Sequence, residues 1–357
     1  MLSVPFVHLQ FNLCLGFWVE LPSPMSCGSC AKLKLESERV VNMQVASWLS
    51  EFEPPVEVHQ AFIEQLREQL EATAVHAAAL VRDTAPDKLP IRVPKSRLAD
   101  LDCCERKALA ASQEDRDAQV ISEAMLRGVA LDRFVTYQLV AGRVTEPMQT
   151  CISMLAAEAD DSAIAAFEAL GPEVTAALID PLAAQVADAW SGIDPAWVPR
   201  TQSKVAAVLA DGAVVCSGII DVELGGPSAG VPAVVVEVKS GRPAASHQAE
   251  AYLYGLLLAL RDGIAPGAVA RWYPGSDLAA VSVSEGLLES AALRLEQALL
   301  RWAELLAGRT PQESAGPWCG WCPDNAVCPS RRVDPRTQTA TGAESEFADE
   351  FDPERDW

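Results

Sequence analysis

The stretch from Gly218 to Lys239 constrains this chain more than any other. It reads Gly218-Ile219-Ile220-Asp221, then a gap holding Gly225-Gly226-Pro227-Ser228, then Val234-Val235-Val236-Glu237-Val238-Lys239. Two Val- and Ile-rich runs separated by turn residues read as neighbouring β-strands. Side chains alternate faces along a strand, so Glu237 and Lys239 share one face and Val238 takes the other. An acid and a lysine therefore stand together at the end of an apolar strand, with Asp221 offered by the strand before. Two carboxylates can hold a hard divalent cation, and a nearby ammonium can orient or help deprotonate a water. In outline this is chemistry for phosphodiester hydrolysis.

The rest of the chain supplies material to build around those strands. Its 357 residues suit two domains, or one domain with additions. Half of them are hydrophobic, enough for a sizeable core. Residues 1–55 read as a poorly specified leader whose folded part starts near Met43, with a secretory signal as the alternative for Leu2 to Val19. Residues 56–200 read as mainly helical. The helical pattern covers Val56 to Val81, Lys95 to Ala111 with Ser96 near its N-cap, and Gln119 to Trp190 broken at Gly171-Pro172. Pro86 to Pro94 reads as a loop. From Ser203 the period changes, and Ser203 to Leu209, Val214 to Leu224, Val231 to Lys239, Val269 to Tyr273 and Ala279 to Val283 are strand candidates. Helices at His247 to Arg261 and Gly286 to Gly308 interleave with them, so residues 201–332 form an α/β core: a small mixed sheet flanked by helices. Residues 333–357 form an acidic tail read as disordered.

The net charge of −21 sets a condition on function. A protein that grips nucleic acid non-specifically needs a basic footprint. Here that requires a local basic groove, bound metal or a partner. One short basic cluster exists, made of Arg92, Lys95, Arg97, Arg106 and Lys107. No segment has the length and apolarity of a membrane span. Ten cysteines in so long a chain suggest a metal site in a reducing, cytoplasmic setting rather than a disulfide scaffold.

Four pieces follow in order: Arg127-Gly128-Val129-Ala130-Leu131-Asp132 on a helix, Gly218-x-x-Asp221, Glu237-x-Lys239, and Gln248-x-x-x-Tyr252 at the start of the next helix. Each string alone is common, and their order carries the weight. It resembles the PD-(D/E)XK nuclease superfamily, and within it the RecB-like exonucleases, over roughly Lys95 to Pro329. The resemblance implies a restriction-endonuclease-like core. It implies that Asp221 and Glu237 bind Mg²⁺ or Mn²⁺, together with the Val238 backbone carbonyl, and that Lys239 activates the attacking water. Gln248 and Tyr252 would support the site and help position DNA. The family often places a metal-binding histidine where this chain has Asp132. Asp132 is then either a third hard ligand or an ordinary exposed helix residue.

Cys319, Cys322 and Cys328 have Cys-x2-Cys-x5-Cys spacing, one ligand short of a four-coordinate site. Cys103 or Cys104 could supply the fourth. The arrangement resembles the iron–sulfur staple of AddB-type and CRISPR-associated RecB-like exonucleases, which implies a structural [4Fe–4S] cluster on Cys104, Cys319, Cys322 and Cys328. Zn²⁺ on the same sulfurs is the alternative. Such a staple would close a loop of about two hundred residues, where a cross-link has most effect in principle. Cys14, Cys27 and Cys30 read as incidental, and Cys151 and Cys216 as small buried side chains.

His247 is a candidate phosphate contact, and Arg200 and Lys204 are candidates to line a DNA groove, each weighed against ordinary surface charge. Trp302, Trp318 and Trp321 are candidate base-stacking platforms, weighed against simple packing. No Walker-type loop is present, so a motor would come from a separate helicase or repair partner. The expectation is a metal-dependent DNA exonuclease acting on ends or single strands in repair, recombination or foreign-DNA processing. The alternative is a non-catalytic DNA-binding or scaffold subunit on the same fold.

Overall fold

The computed structural model describes residues 44–53, 58–113 and 121–331. Cys14, Cys27, Cys30, the leader up to residue 43 and the acidic tail lie outside them. The described residues all fall in one compact unit.

The architecture is mixed α/β. A six-stranded sheet comprises β1 (Ile91–Pro94), β2 (Arg200–Leu209), β3 (Val214–Gly226), β4 (Val231–Val238), β5 (Ala268–Trp272) and β6 (Ala279–Ser282). One face carries α2 (Gln60–Thr84), α3 (Lys95–Cys103), α9 (Ala245–Asp262) and α10 (Glu285–Leu306). The other carries α1 (Val45–Glu51), α5 (Glu123–Val140), α6 (Pro147–Ala157), α7 (Asp161–Leu170) and α8 (Pro172–Trp190). A short α4 (Glu105–Gln113) follows α3.

β4 shows why its sequence is almost unbroken valine. Ala233 and Val235 enter the core under α9 and α10, while Val234, Val236 and Val238 enter the core under α5 and α8. A strand covered on both faces has no polar positions to spare. Each fully buried valine contributes about 1.5–3 kcal/mol relative to exposure.

The sheet has one unusual junction, and it positions everything that follows. β2 lies antiparallel along β3 from Leu209↔Val214 to Arg200↔Glu223, so it takes one edge of β3 throughout. The other edge is shared. β1 pairs there in parallel over Val214 to Ser217, and β4 pairs antiparallel over Val222 to Gly226. Because one runs parallel and the other antiparallel, their C-terminal ends point at each other. They meet over the stretch Gly218 to Asp221, which is unpaired on this edge. Lys95 follows β1 directly, and Glu237 to Lys239 close β4.

Several expectations need correction. Pro86 to Pro94 is not all loop, because Ile91, Arg92 and Val93 alternate buried, exposed, buried as β1. The boundary near residue 200 does not divide the chain into separate bodies, since β1 comes from the helical region and completes the sheet. Gln44 to Glu53 is not leader: α1 buries Val45 and Leu49 in the core. Lys95 to Ala111 is two helices, broken where Cys104 adopts an extended backbone. Pro94, not Ser96, occupies the N-cap position of α3. The Gly171-Pro172 break falls where expected, with Gly171 at φ 79°. Cys151 and Cys216 are buried as expected. Among the described residues no single helix is long and apolar enough to cross a membrane.

Candidate functional site

The β1–β4 junction gathers four carboxylates and two lysines. Glu237 is 1% exposed. Its Oε1 accepts from Lys95 Nζ at 2.6 Å and from Lys239 Nζ at 2.7 Å. Glu250 on α9 meets the same two ammoniums through Oε2, at 2.8 Å from Lys239 and 3.2 Å from Lys95. Glu237 Oε2 is buried and, among the described residues, has no hydrogen-bond partner. A carboxylate oxygen left so in a core costs free energy unless a cation meets it.

Asp221 stands beside this cluster. Its Oδ2 accepts from the Val238 N–H at 2.8 Å, which ties β3 to the end of β4 where the regular pairing stops. Burial raises the Asp221 carboxyl well above the ordinary aspartate range, and the charges of Glu237 and Asp132 add to the effect. Asp132 arrives from α5. Burial pushes its carboxyl up to about 6, with Glu237 adding and Arg133 opposing. Asp132 is thus not a plain exposed helix residue but a member of the same electrostatic group as Asp221 and Glu237. Burial disfavours the charged forms of Lys95 and Lys239, yet the glutamates outweigh it and hold both ammoniums above the usual lysine range. For Glu250, burial is outweighed by Lys95 and Lys239, which hold its carboxyl below the usual range.

The local sequence explains how each group is held. Tyr254 of α9 donates its hydroxyl hydrogen bond to the Ile219 carbonyl, which lies in the stretch of β3 that is unpaired on this edge. A Cβ at Gly218 would strike the Tyr254 ring, so glycine there admits the tyrosine. α5 is anchored at its start by the Ser122 hydroxyl, which accepts from the Met125 N–H at 3.3 Å. It is docked to the end of β4 by Arg127 Nε, which donates to the Ser240 carbonyl at 3.2 Å.

Asp132, Asp221, Glu237 and Lys239 lie near enough to act on one another electrostatically, while among the described residues no three Cys, His, Asp or Glu side chains stand at metal-ligand spacing. Gln248 and Tyr252 are a helical turn apart and hydrogen-bond each other. The α9 residues that reach the ion cluster are instead Glu250 and Tyr254, likewise four apart. Lys95 and Glu250 are the participants that motif reading missed. Glu250 carried a signal, since a carboxyl amid the apolar α9 run needs a counter-charge. Lys95 carried none without β1.

Four of the five residues of the basic cluster are engaged within the chain, and Arg92 is exposed on β1. Lys95 is in the site, and the Arg97 guanidinium lies 4.2 Å from the Trp302 ring centroid. Arg106 pairs with Glu313 and Asp324, and Lys107 with Asp100. Arg200 is bound to Glu223 at 2.6 Å, while Lys204 is exposed. His247 faces the Tyr273 hydroxyl at 2.9 Å, and burial with Lys239 nearby lowers its pKa. Trp302 is buried, so packing explains it; Trp321 is 67% exposed.

The second feature is a small cleft lined by Cys104, Cys319, Cys322 and Cys328, with Arg106, Lys107 and Trp318 around them. Cys104 lines it and Cys103 does not. Burial raises the Cys322 thiol, and Cys104 and Cys328 are near enough to add to that. Backbone N–H groups of Ser314 and Gly316 lie 3.5 Å from the Cys104 and Cys319 sulfurs. Among the described residues, no three Cys, His, Asp or Glu side chains are already drawn in to full metal-ligand spacing. The sulfurs share one cleft, then, without having closed on a common centre.

No family model matches this chain, and no curated protein matches it either. Among solved structures, the crystal structure of SSO0001 aligns over 65% of this chain and 95% of its own, at 14% identity and a TM-score of 0.28. So low a TM-score carries no argument about fold or function.

Proposed function

We propose that this chain is a metal-dependent DNA exonuclease of the RecB-like type, built on a restriction-endonuclease-like core. The observation that carries the reading is the unpartnered, buried Oε2 of Glu237 beside Asp221 and Asp132. Three carboxylates act on one another where one oxygen is left without a partner, and such hard oxygen donors suit Mg²⁺ or Mn²⁺ once drawn in to ligand spacing. Asp132, Asp221 and Glu237, with the Val238 carbonyl, would hold that ion. When bound, it supplies charge neutralisation at the scissile phosphate and an acidified water.

The remaining chemistry belongs to this chain's own groups. Lys239 presents an ammonium beside Glu237 and orients the attacking water. Glu250 keeps Lys239 protonated and in place at 2.8 Å. Tyr254 fixes the open edge of β3 next to Asp221. Gln248 and Tyr252, bonded to each other, support the start of α9. Away from this site, Cys104, Cys319, Cys322 and Cys328 would hold a [4Fe–4S] cluster, or Zn²⁺ on the same sulfurs, joining the start of α4 to the C-terminal loop. DNA ends or single strands are the proposed substrate, with a separate helicase or repair protein opening the duplex.

The test is digestion of end-labelled single- and double-stranded DNA with Mg²⁺ and with Mn²⁺, beside an absorbance spectrum of the same anaerobic preparation. Lys239→Ala should abolish cleavage and leave circular dichroism unchanged. Undiminished digestion by that variant sinks the catalytic assignment. The second reading is a non-catalytic DNA-binding or scaffold subunit, and one observation favours its scaffold form: Arg106, Lys107 and Arg200 are spent on internal carboxylates. DNA retention without metal-dependent turnover would select it.

A further inference from the structure

Lys95 lies outside the motifs that carry the proposed chemistry, yet its ammonium is at the centre of the site. Nζ is 2.6 Å from Glu237 Oε1 and 3.2 Å from Glu250 Oε2. Its other neighbour is the face of the Tyr254 ring, 5.2 Å from the centroid. Lys239 touches the same two oxygens, at 2.7 and 2.8 Å. Two ammoniums therefore share two carboxylate oxygens, although hydrolysis calls on one lysine.

Charge balance shows what the second one is for. Asp132, Asp221, Glu237 and Glu250 form one interacting group; Lys95 and Lys239 are the cations paired inside it, and Arg133 acts on Asp132 from its edge. A divalent ion taken up at Glu237 Oε2 would repel both ammoniums across a single carboxylate. It would also draw charge from Oε1, leaving Glu250 as the main partner for two lysines. Glu250 holds Lys239 more closely than Lys95. Lys95 is the one with the weaker remaining hold, and that hold sets it apart, since its side chain reaches solvent (24% exposed) little more than that of Lys239 (20%).

We infer that Lys95 is a resident counter-cation of Glu237, which opposes divalent-metal binding and leaves the carboxylate when the metal arrives. This rests on Asp132, Asp221 and Glu237 being metal ligands. It means that metal affinity is set below what those carboxylates alone would give, so the site loads by exchanging one cation for another.

The experiment is a Mn²⁺ titration of the chelator-treated full-length protein, following free Mn²⁺ by electron paramagnetic resonance. Wild type is compared with Lys95→Met, Lys95→Arg and Glu237→Gln. Removing the ammonium should tighten Mn²⁺ binding about ten-fold or more, as expected for loss of a neighbouring positive charge in a poorly solvated site. Lys95→Arg should stay near wild type. A second readout needs no variant. Acylation of lysines, quantified by mass spectrometry with exposed Lys204 as reference, should show Lys95 becoming several-fold more reactive when Mn²⁺ is added. Unchanged or weaker Mn²⁺ affinity in Lys95→Met, or unchanged Lys95 labelling, overturns the inference and leaves the metal site standing. If wild type shows no Mn²⁺ binding that Glu237→Gln removes, the metal reading falls and this inference falls with it. Should Lys95→Met fail to fold, the labelling of wild type decides alone.

Discussion

The ion cluster and the cysteine cleft are built on opposite plans. The cluster sits at the ends of core strands, and its frame is the sheet: β1 and β4 fix Lys95 and Glu237, while the Val238 N–H fixes Asp221. Its two lysines are matched to Glu237 and Glu250, while Glu237 Oε2 is left without a hydrogen-bond partner among the described residues. The cleft sits on a loop with little regular structure, and its frame is a set of ion pairs. Glu105 accepts from Arg309 at 2.8 and 2.9 Å and from the Gln312 N–H at 2.8 Å. Arg106 holds Glu313 and Asp324. The lesson is that rigidity and reactivity are supplied separately. The sheet presents an unsatisfied oxygen that folding alone does not neutralise, whereas the loop is tied down by salt bridges before any sulfur chemistry begins.

The largest effect that would test this contrast is on cleavage. Asp221→Asn and Glu237→Gln should each lower the DNA digestion rate by about 10³-fold or more, the scale on which loss of metal-held charge stabilisation acts. Cys322→Ser should leave far more activity but lower the melting temperature. If the serine variant were as inactive as Glu237→Gln at a temperature where both are folded, the division of labour would be wrong.

Next comes pH. Asp132 titrates near 6 in the folded chain and Asp221 well above an ordinary aspartate, both raised by burial. Groups raised in this way bind more protons folded than unfolded. Without metal, their contribution to stability therefore falls as pH rises from the normal aspartate range through about 6. Metal needs the ionised forms, so Mn²⁺ should bind more tightly, and raise the melting temperature more, as pH climbs through that window. Asp132→Asn should flatten both trends. Thermal melts with and without Mn²⁺ at about pH 5 and about pH 7.5, values chosen to bracket that titration, would show it. Equal metal stabilisation at the two pH values would count against the coupling.

Smaller effects probe the two frames. Glu105→Ala should destabilise the fold by about 1–3 kcal/mol, by leaving the Gln312 N–H and Arg309 without their shared acceptor. Urea melts would measure it, and the ion cluster should be untouched. Gly218→Ala should cost about 1–3 kcal/mol through overpacking against Tyr254. It should also loosen the Ile219 contact, so that Mn²⁺ affinity falls together with stability. A variant that lost stability but kept full metal affinity would show that Tyr254 does not help to hold the site.

Much of this was written in local sequence. The valine run of β4, with Glu237 and Lys239 on one side, follows from alternation along a buried strand. The i, i+4 spacing put Gln248 and Tyr252 in contact, as found. The helices α2, α9 and α10 appear within a few residues of where their apolar periodicity places them. What could not be read was the company these residues keep. β1 is four residues long, preceded by Pro90 and ending on Pro94, and too short for a pattern to declare itself. Glu250 lies between the two motif residues of α9, on a different face of the helix.

The sequence by itself determined which groups exist and which neighbours along the chain share a face, because strand and helix periods are fixed by backbone geometry. Only the tertiary structure decided that Lys95 and Glu250 join Asp132, Asp221, Glu237 and Lys239. That meeting depends on β1 and β4 ending head to head on one edge of β3, a pairing between segments far apart in the chain. No local spacing encodes it, and burial of their charges in one place is its consequence.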